Sequence, residues 1–479
     1  MPNATALKDR YGLAMTTSST NAAEHYVEGL DLLLEQGFGP EAEFQMAVEA
    51  DDGFALAHAG LSIMQMFRGD IKEARATASH AGTLASYATR REQQHVEAVR
   101  LFVNGQGPKS LALARQHLDE FPRDALMLRV ANRLYLLGCS GAGVANFPEE
   151  FFAMLRSVEP SYGEDWAFQG MYAFAHHEMG YLSESLKLAE SSLAQRPTSG
   201  HASHSVAHVY FETGDPVAGG DFLGDWLTTY DRRSPFHVHL SWHQALFELS
   251  QGRYDRAVDL YETDIRPSVK ERRAASLQDS TSLMWRLRMY GGENPPYPIE
   301  EICDQAAVAA DTPGPAFRDA HAALAFAASG DGVLLGKLSA RLLQAAEAGD
   351  ALAKEITLPL VMGIDAFAAE AYDDAVTYLE PVFPKLARIG GSHAQREVFE
   401  DTLLEAYLRA GRYDKAEDML AERLRRRSSV RDSYWLGRAQ ANTGQADAAG
   451  KNLSHAKTQW RDADPNSREM AALESLAGA

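Results

Sequence analysis

A chain of 479 residues with 45% apolar content is too long for one small core and too apolar for wholesale disorder, so several domains or one elongated repeat array are expected. The formal charge of −20, from 46 basic against 66 acidic residues, disfavours nucleic acid and anionic membrane surfaces as partners. There is no run of about 18 apolar residues and no leader pattern over Met1–Met15, and the two cysteines, Cys139 and Cys303, cannot build a disulfide framework. A cytoplasmic location without membrane contact is therefore the expectation.

Taken in order, the chain repeats itself. Over about 22–82, two glycines are each followed five residues later by a small residue: Gly37 with Ala42 and Gly69 with Ala74. The same pattern returns over 166–262 as Gly180 with Ser185, Gly214 with Gly219 and Gly252 with Ala257, and over 363–460 as Gly411 with Ala416, followed by Gly444. The spacing brackets the roughly 34-residue tetratricopeptide period. The glycine supplies a left-handed turn between two helices, and the small residue lets them approach closely. Pro197 falls where helix B of such a repeat stops. The stretches 82–165, 263–320 and 327–360 fit less well but still read as helical, as in Pro108–His117 and Asp279–Arg288, with breaks at Gly138–Gly143 and Asn294–Pro298. Arg423, Arg425, Arg426 and Arg427 have no interleaved aromatics and read as a solvated helix end. Gly332–Lys337 imitates a phosphate loop, but Leu338 stands where a magnesium ligand is needed. The fold class expected is all-α: one continuous tetratricopeptide-type helical-hairpin superhelix, or solenoid, spanning 1–479.

Chemistry concentrates in 201–251, which holds His201, His204, His208, His237, His239 and His243, six of the 16 histidines. His204/His208 and His239/His243 are i, i+4 pairs, so each pair shares a helix face with Cβ atoms about 5–6 Å apart. Repeat register aims His177, Glu178, His201, His204, His208, Glu212, His239, Trp242 and His243 at the concave groove. Rings from successive helices packed about 8–10 Å apart can converge. Four imidazoles suit a divalent transition metal, and the Irving–Williams order does not choose which. A metal-free binding groove uses the same residues. His201 and His237 read as local, and Tyr254 and Tyr261 as core.

Several stretches together resemble one family: Thr16-Thr17-Ser18, Thr89-Arg90-Arg91-Glu92-Gln93-Gln94-His95, the two His pairs, Gly252-Arg253-Tyr254-Asp255, Asp279-x-x-Ser282-x-x-x-Arg286, and Gly390-Gly391-Ser392-His393-Ala394-Gln395-Arg396. The chain is similar, nearly end to end, to the tetratricopeptide repeat protein 38 family. The resemblance implies shared positions at Glu178, His204, His208, His239, His243 and Asp279. His393 departs from it, because asparagine also stands there. It also recruits Asp279, Arg286, Gln395 and Arg396, which close the groove opposite the His pairs if the superhelix curls. Arg286 and Arg396 beside a metal suit an anionic ligand group.

The leading expectation is a groove that binds a small molecule or short peptide with the aid of a metal. The alternatives are a metalloenzyme of hydrolase or oxygenase type, acting on a small anionic substrate, and a protein–protein adaptor. A homo-oligomer is compatible with all three.

Overall fold

The computed structural model describes residues 7–477 apart from 274–275, 292–297, 313 and 466. Most of the Asn294–Pro298 break thus lies outside the described residues. The chain is all-α, built as consecutive helical hairpins; among the described residues the β content is one isolated bridge, Lys8 to Ala14. No helix among them is long and apolar enough to cross a membrane.

The glycine pattern works as read at most of its positions. Gly69, Gly180, Gly214, Gly252, Gly411 and Gly444 all take positive φ, the region an L side chain resists. The small residues five positions on are buried in the hairpin seam, as with Ala74, Ala257 and Ala416. Ser185 also donates its hydroxyl across the seam to the Ala173 carbonyl at 2.7 Å. A Cβ at Gly219 would meet the Tyr210 Cβ at 2.9 Å.

The first hairpin, Thr20–Glu35 with Pro40–Ala50, departs from the expectation. Its left-handed residues are Gln36 and Gly39 rather than Gly37, and Ala42 is exposed. Counting from Gly39, the seam residue is the bulky Phe44. Space for its ring comes from the neighbouring helices, where a Cβ at Gly29 or Gly60 would meet it at 3.0 or 2.7 Å. The small residue has moved across the seam. Within 82–165 lies a regular hairpin, Arg90–Val103 with Gly107–Glu120. Gly105 makes its turn and Ser110 its seam, with the Ser110 hydroxyl on the Ala98 carbonyl at 2.7 Å.

Two helices widen into π-turns at Tyr261–Ile265 and Ala353–Thr357, each ending two residues before a proline, Pro267 and Pro359. A proline ring clashes with the carbonyl four residues back, and a wider turn relieves that clash.

The contacts form two compact units, Met1–Val206 with Thr229–Phe236, and Ala207–Thr228 with His237–Ala479. In the first, Asp124 is a buried node that ties the N-terminal segment to the hairpin Arg90–Val103 with Gly107–Glu120 and to the helix Ala125–Leu136, which it caps. It accepts from Arg91 at 2.8 Å, His95 at 3.0 Å and His117 at 3.1 Å, while Arg91 also holds the Ala14 carbonyl.

The second unit curls until its last helices meet its first. Trp460 donates to the Ser250 carbonyl at 2.9 Å, the Asp464 N–H to the Gly252 carbonyl at 3.1 Å, and Arg431 bridges the Leu249 carbonyl to Glu469. The basic run at 423–427 is only half solvated. Arg425 and Arg426 are exposed, but Arg423 is buried among Glu397, Asp401 and Asp432 at 3.0, 2.7 and 3.0 Å. Arg427 pairs with Glu397 and lies 4.2 Å over the Phe211 ring. These arginines join distant helices across the curl, a role the helix's own sequence does not reveal.

Candidate metal centre

The helix Gly200–Thr213 carries His204 and His208 one turn apart, and the helix Pro235–Ser250 carries His239 and His243 in the same spacing. Ring centroids are 4.5 Å apart for His208 and His243, and 4.8 Å for His239 and His243. One nitrogen from each of the four rings lies within 4.8 Å of every other. A tetrahedral ion at about 2.0–2.1 Å from each nitrogen needs them roughly 3.4 Å apart, so the four would have to draw closer than the 4.8 Å limit seen here to enclose one. His204, His208 and His243 are buried; His239 is half-buried.

A carboxylate stands behind this cage. Asp279, on the helix Ser276–Gly291, accepts from His239 Nδ1 at 3.0 Å. A carboxylate can only accept, so Nδ1 carries the proton and Nε2 is the nitrogen a metal would take, the outer-shell arrangement common to metal-binding histidines. Trp242 is fully buried. It stacks on His239 with centroids 5.4 Å apart and donates its indole N–H to Ser282 Oγ at 3.0 Å, which orients the ring rather than presenting it to a ligand.

Arg286 lies 5.9 Å from the Trp242 ring and donates to the Ala394 carbonyl at 2.9 Å, which brings the 390–396 loop to this region. Gln395 and Arg396 are used by the loop itself. Gln395 accepts from the Ser392 N–H in a capping box, and Arg396 holds the Gly391 carbonyl. His393, the loop residue the resemblance weakened, reaches further and pairs with Glu212 at 2.7 Å, one turn beyond His208. Burial lowers its pKa, but Glu212 and Glu400 outweigh that and push it up to about 9.

Sequence reasoning missed His321. Its Nδ1 donates to the Phe317 carbonyl at 2.7 Å, and burial holds it neutral with a pKa of about 4, the charges of Asp279 and Arg286 acting in opposite senses. Nothing in its alanine-rich helix marks it. Three buried atoms here have no hydrogen-bond partner in the protein: Asp279 Oδ1, Arg286 Nη1 and His321 Nε2.

Glu178 is not part of the four-histidine group; it lies 3.3 Å from its neighbour His177. His237 sits by Ser241 and, at 3.9 Å, Asp264; His201 is buried apart from the group. A second group with metal-ligand geometry, His95, His117 and Asp124, had no sequence reading of its own as a site.

The fold and centre define an all-α helical-hairpin repeat protein with a buried cluster of four histidines able to hold a metal ion. No family profile matches the chain. Among solved structures it is similar to the human IFIT1 dimer with m7Gppp-AAAA, at 14% identity and TM-score 0.41, covering 90% of this chain and 94% of that one. It is also similar to the Cut9–Hcn1 hetero-tetramer of the APC/C, at 11% identity and TM-score 0.34, covering 96% of each.

Proposed function

We propose that His204, His208, His239 and His243 hold a divalent transition metal and that this centre binds a small polar ligand. The observation that carries the reading is the convergence of four imidazoles with the His239 tautomer set by Asp279. The unpartnered Asp279 Oδ1, Arg286 Nη1 and His321 Nε2 supply ligand contacts of both polarities. When bound, the metal supplies Lewis acidity. Asp279 orients His239, and Arg286 offers N–H donors to an anionic group on the ligand.

The burial of three of the four rings counts against an adaptor groove open to a partner helix. The same unpartnered acceptors, His321 Nε2 above all, favour a second reading in which the centre is a metalloenzyme and one of them takes a proton from the substrate. The motifs Thr89–His95, Asp279–Arg286 and Gly390–Arg396 support membership in the tetratricopeptide repeat protein 38 family, since each builds a buried node or a cap.

Elemental analysis of tag-free protein tests the reading. Near-stoichiometric metal is expected, abolished by His204→Ala with His243→Ala; metal-free protein whose melting temperature ignores both chelator and added zinc sinks it.

A further inference from the structure

The first unit holds two arginines with no counter-charge. Arg129 and Arg133 lie one turn apart on the helix Ala125–Leu136. Arg129 is 7% exposed and meets only neutral side chains, Asn132 Oδ1 and Gln36 Oε1, both at 3.3 Å, beyond the usual N–H···O range. Its Nε and the Nδ2 of the fully buried Asn132 are donors without an acceptor. Arg133 is exposed, has no carboxylate within ion-pair distance among the described residues, and sits 5.9 Å from the Phe67 ring.

Desolvation, with Arg133 adding repulsion, pushes the Arg129 pKa down to about 10. Buried His201 is pushed down to about 3, first by desolvation and then by the charge of Arg129. In a chain of net charge −20, every other arginine buried to this degree among the described residues has a carboxylate: Arg91 has Asp124, Arg286 has Asp401 at 3.9 Å, Arg423 has three and Arg431 has Glu469. An unpaired buried cation is costly and persists where something anionic completes it.

We propose that Arg129, Arg133 and Asn132 form a binding site for the phosphoryl group of a small molecule, separate from the four-histidine centre. Two guanidiniums and an amide N–H₂ match a group of charge near −2 with several acceptor oxygens, which a carboxylate satisfies only in part. Exposed Arg133 marks where solvent reaches the site, and buried Arg129 with Asn132 forms its floor. The acidity of the rest of the chain repels long polyanions, which leaves small phosphorylated compounds as the class.

The test uses the full chain with inorganic phosphate, pyrophosphate and acetate as probes, read by calorimetry and thermal melting. Phosphate and pyrophosphate are expected to bind and raise the melting temperature, with acetate at least about tenfold weaker, the loss of one charge-assisted contact. Arg129→Met should abolish the anion effect and also raise the melting temperature of the anion-free protein, because an apolar side chain replaces an unpaired charge. Arg133→Gln should weaken binding by about tenfold and, by removing its repulsion of Arg129, leave anion-free stability equal or slightly higher. Arg115→Gln, an exposed arginine paired with Glu150, should change neither. No response to either phosphate probe, a preference for acetate, or an Arg129→Met protein that melts lower without anion overturns the proposal.

Discussion

Two buried histidine clusters in this protein have the same ingredients and opposite wiring. In the first unit the carboxylate is central: Asp124 accepts from His95, His117 and Arg91 and caps its own helix. Burial raises its pKa, yet these donors hold it well below the usual carboxylate range, while burial lowers His95 despite Asp124. We take the node as an ionised Asp124 balanced by Arg91. A cation placed there would face Arg91. In the four-histidine cluster the carboxylate is peripheral: Asp279 stands behind His239, and one nitrogen from each ring lies within 4.8 Å of every other. The position of one aspartate relative to the rings separates a structural knot from a metal cage.

The largest effect should come from breaking the Asp124 node. Asp124→Ala leaves Arg91 buried without its counter-charge and should cost about 3–5 kcal/mol. Denaturant unfolding would measure it, and chelator should leave the wild-type node's contribution unchanged. A loss below about 1 kcal/mol would mean that the node is not the anchor described.

An intermediate effect is expected at the pair His393–Glu400. His393 is raised to about 9, so its contribution is fully present below its unfolded value of about 6.5 and is lost as pH rises through 9. For Glu400, burial raises the pKa but His393 at 3.8 Å, together with Arg423 and Arg426, outweighs it and holds it at about 2; its contribution is present above about 4.3 and lost as pH falls toward 2. His393 answers first to Glu212, and Glu400 also to Arg423 and Arg426, so each contribution, on the order of 3 kcal/mol, belongs to several partners, with a plateau between about pH 4.3 and 6.5. In His393→Asn the alkaline loss should disappear from the pH–stability curve; its persistence would assign it elsewhere.

The smallest effect sharpens the comparison from the other side. Asp279→Asn keeps a polar partner for His239 but removes the charge, and should weaken metal affinity by about 10–100-fold with little change in metal-free stability. A competition titration against a chromophoric chelator reads this directly. If Asp279→Asn instead destabilised the protein as Asp124→Ala does, the two clusters would be wired alike.

The legible part of the site was its local part. His204 with His208 and His239 with His243 follow from spacing on a helix, and Asp279 and Arg286 were singled out only through the resemblance. Which atom each would touch was not legible. Asp279 reads as readily as an ion pair to Arg286 as the partner of His239, and Gln395 as a groove residue rather than the cap it is. His321 carried no signal, because a histidine four residues after a phenylalanine in an alanine-rich helix looks like packing.

The sequence by itself determined the all-α hairpin repeat and most of its turns. A glycine at positive φ and a small seam residue five positions later are requirements of a few neighbouring residues. It even contained the regular hairpin at Gly105, hidden by the second glycine at Gly107. Only the tertiary structure decided the rest: that Phe44 exchanges its seam role with Gly29 and Gly60, that Arg423 is buried among three carboxylates, and that one aspartate sits inside its histidines and the other behind them. Those outcomes depend on how helices distant in sequence stack, and a side chain's charge and shape do not specify its partner until that stacking is set.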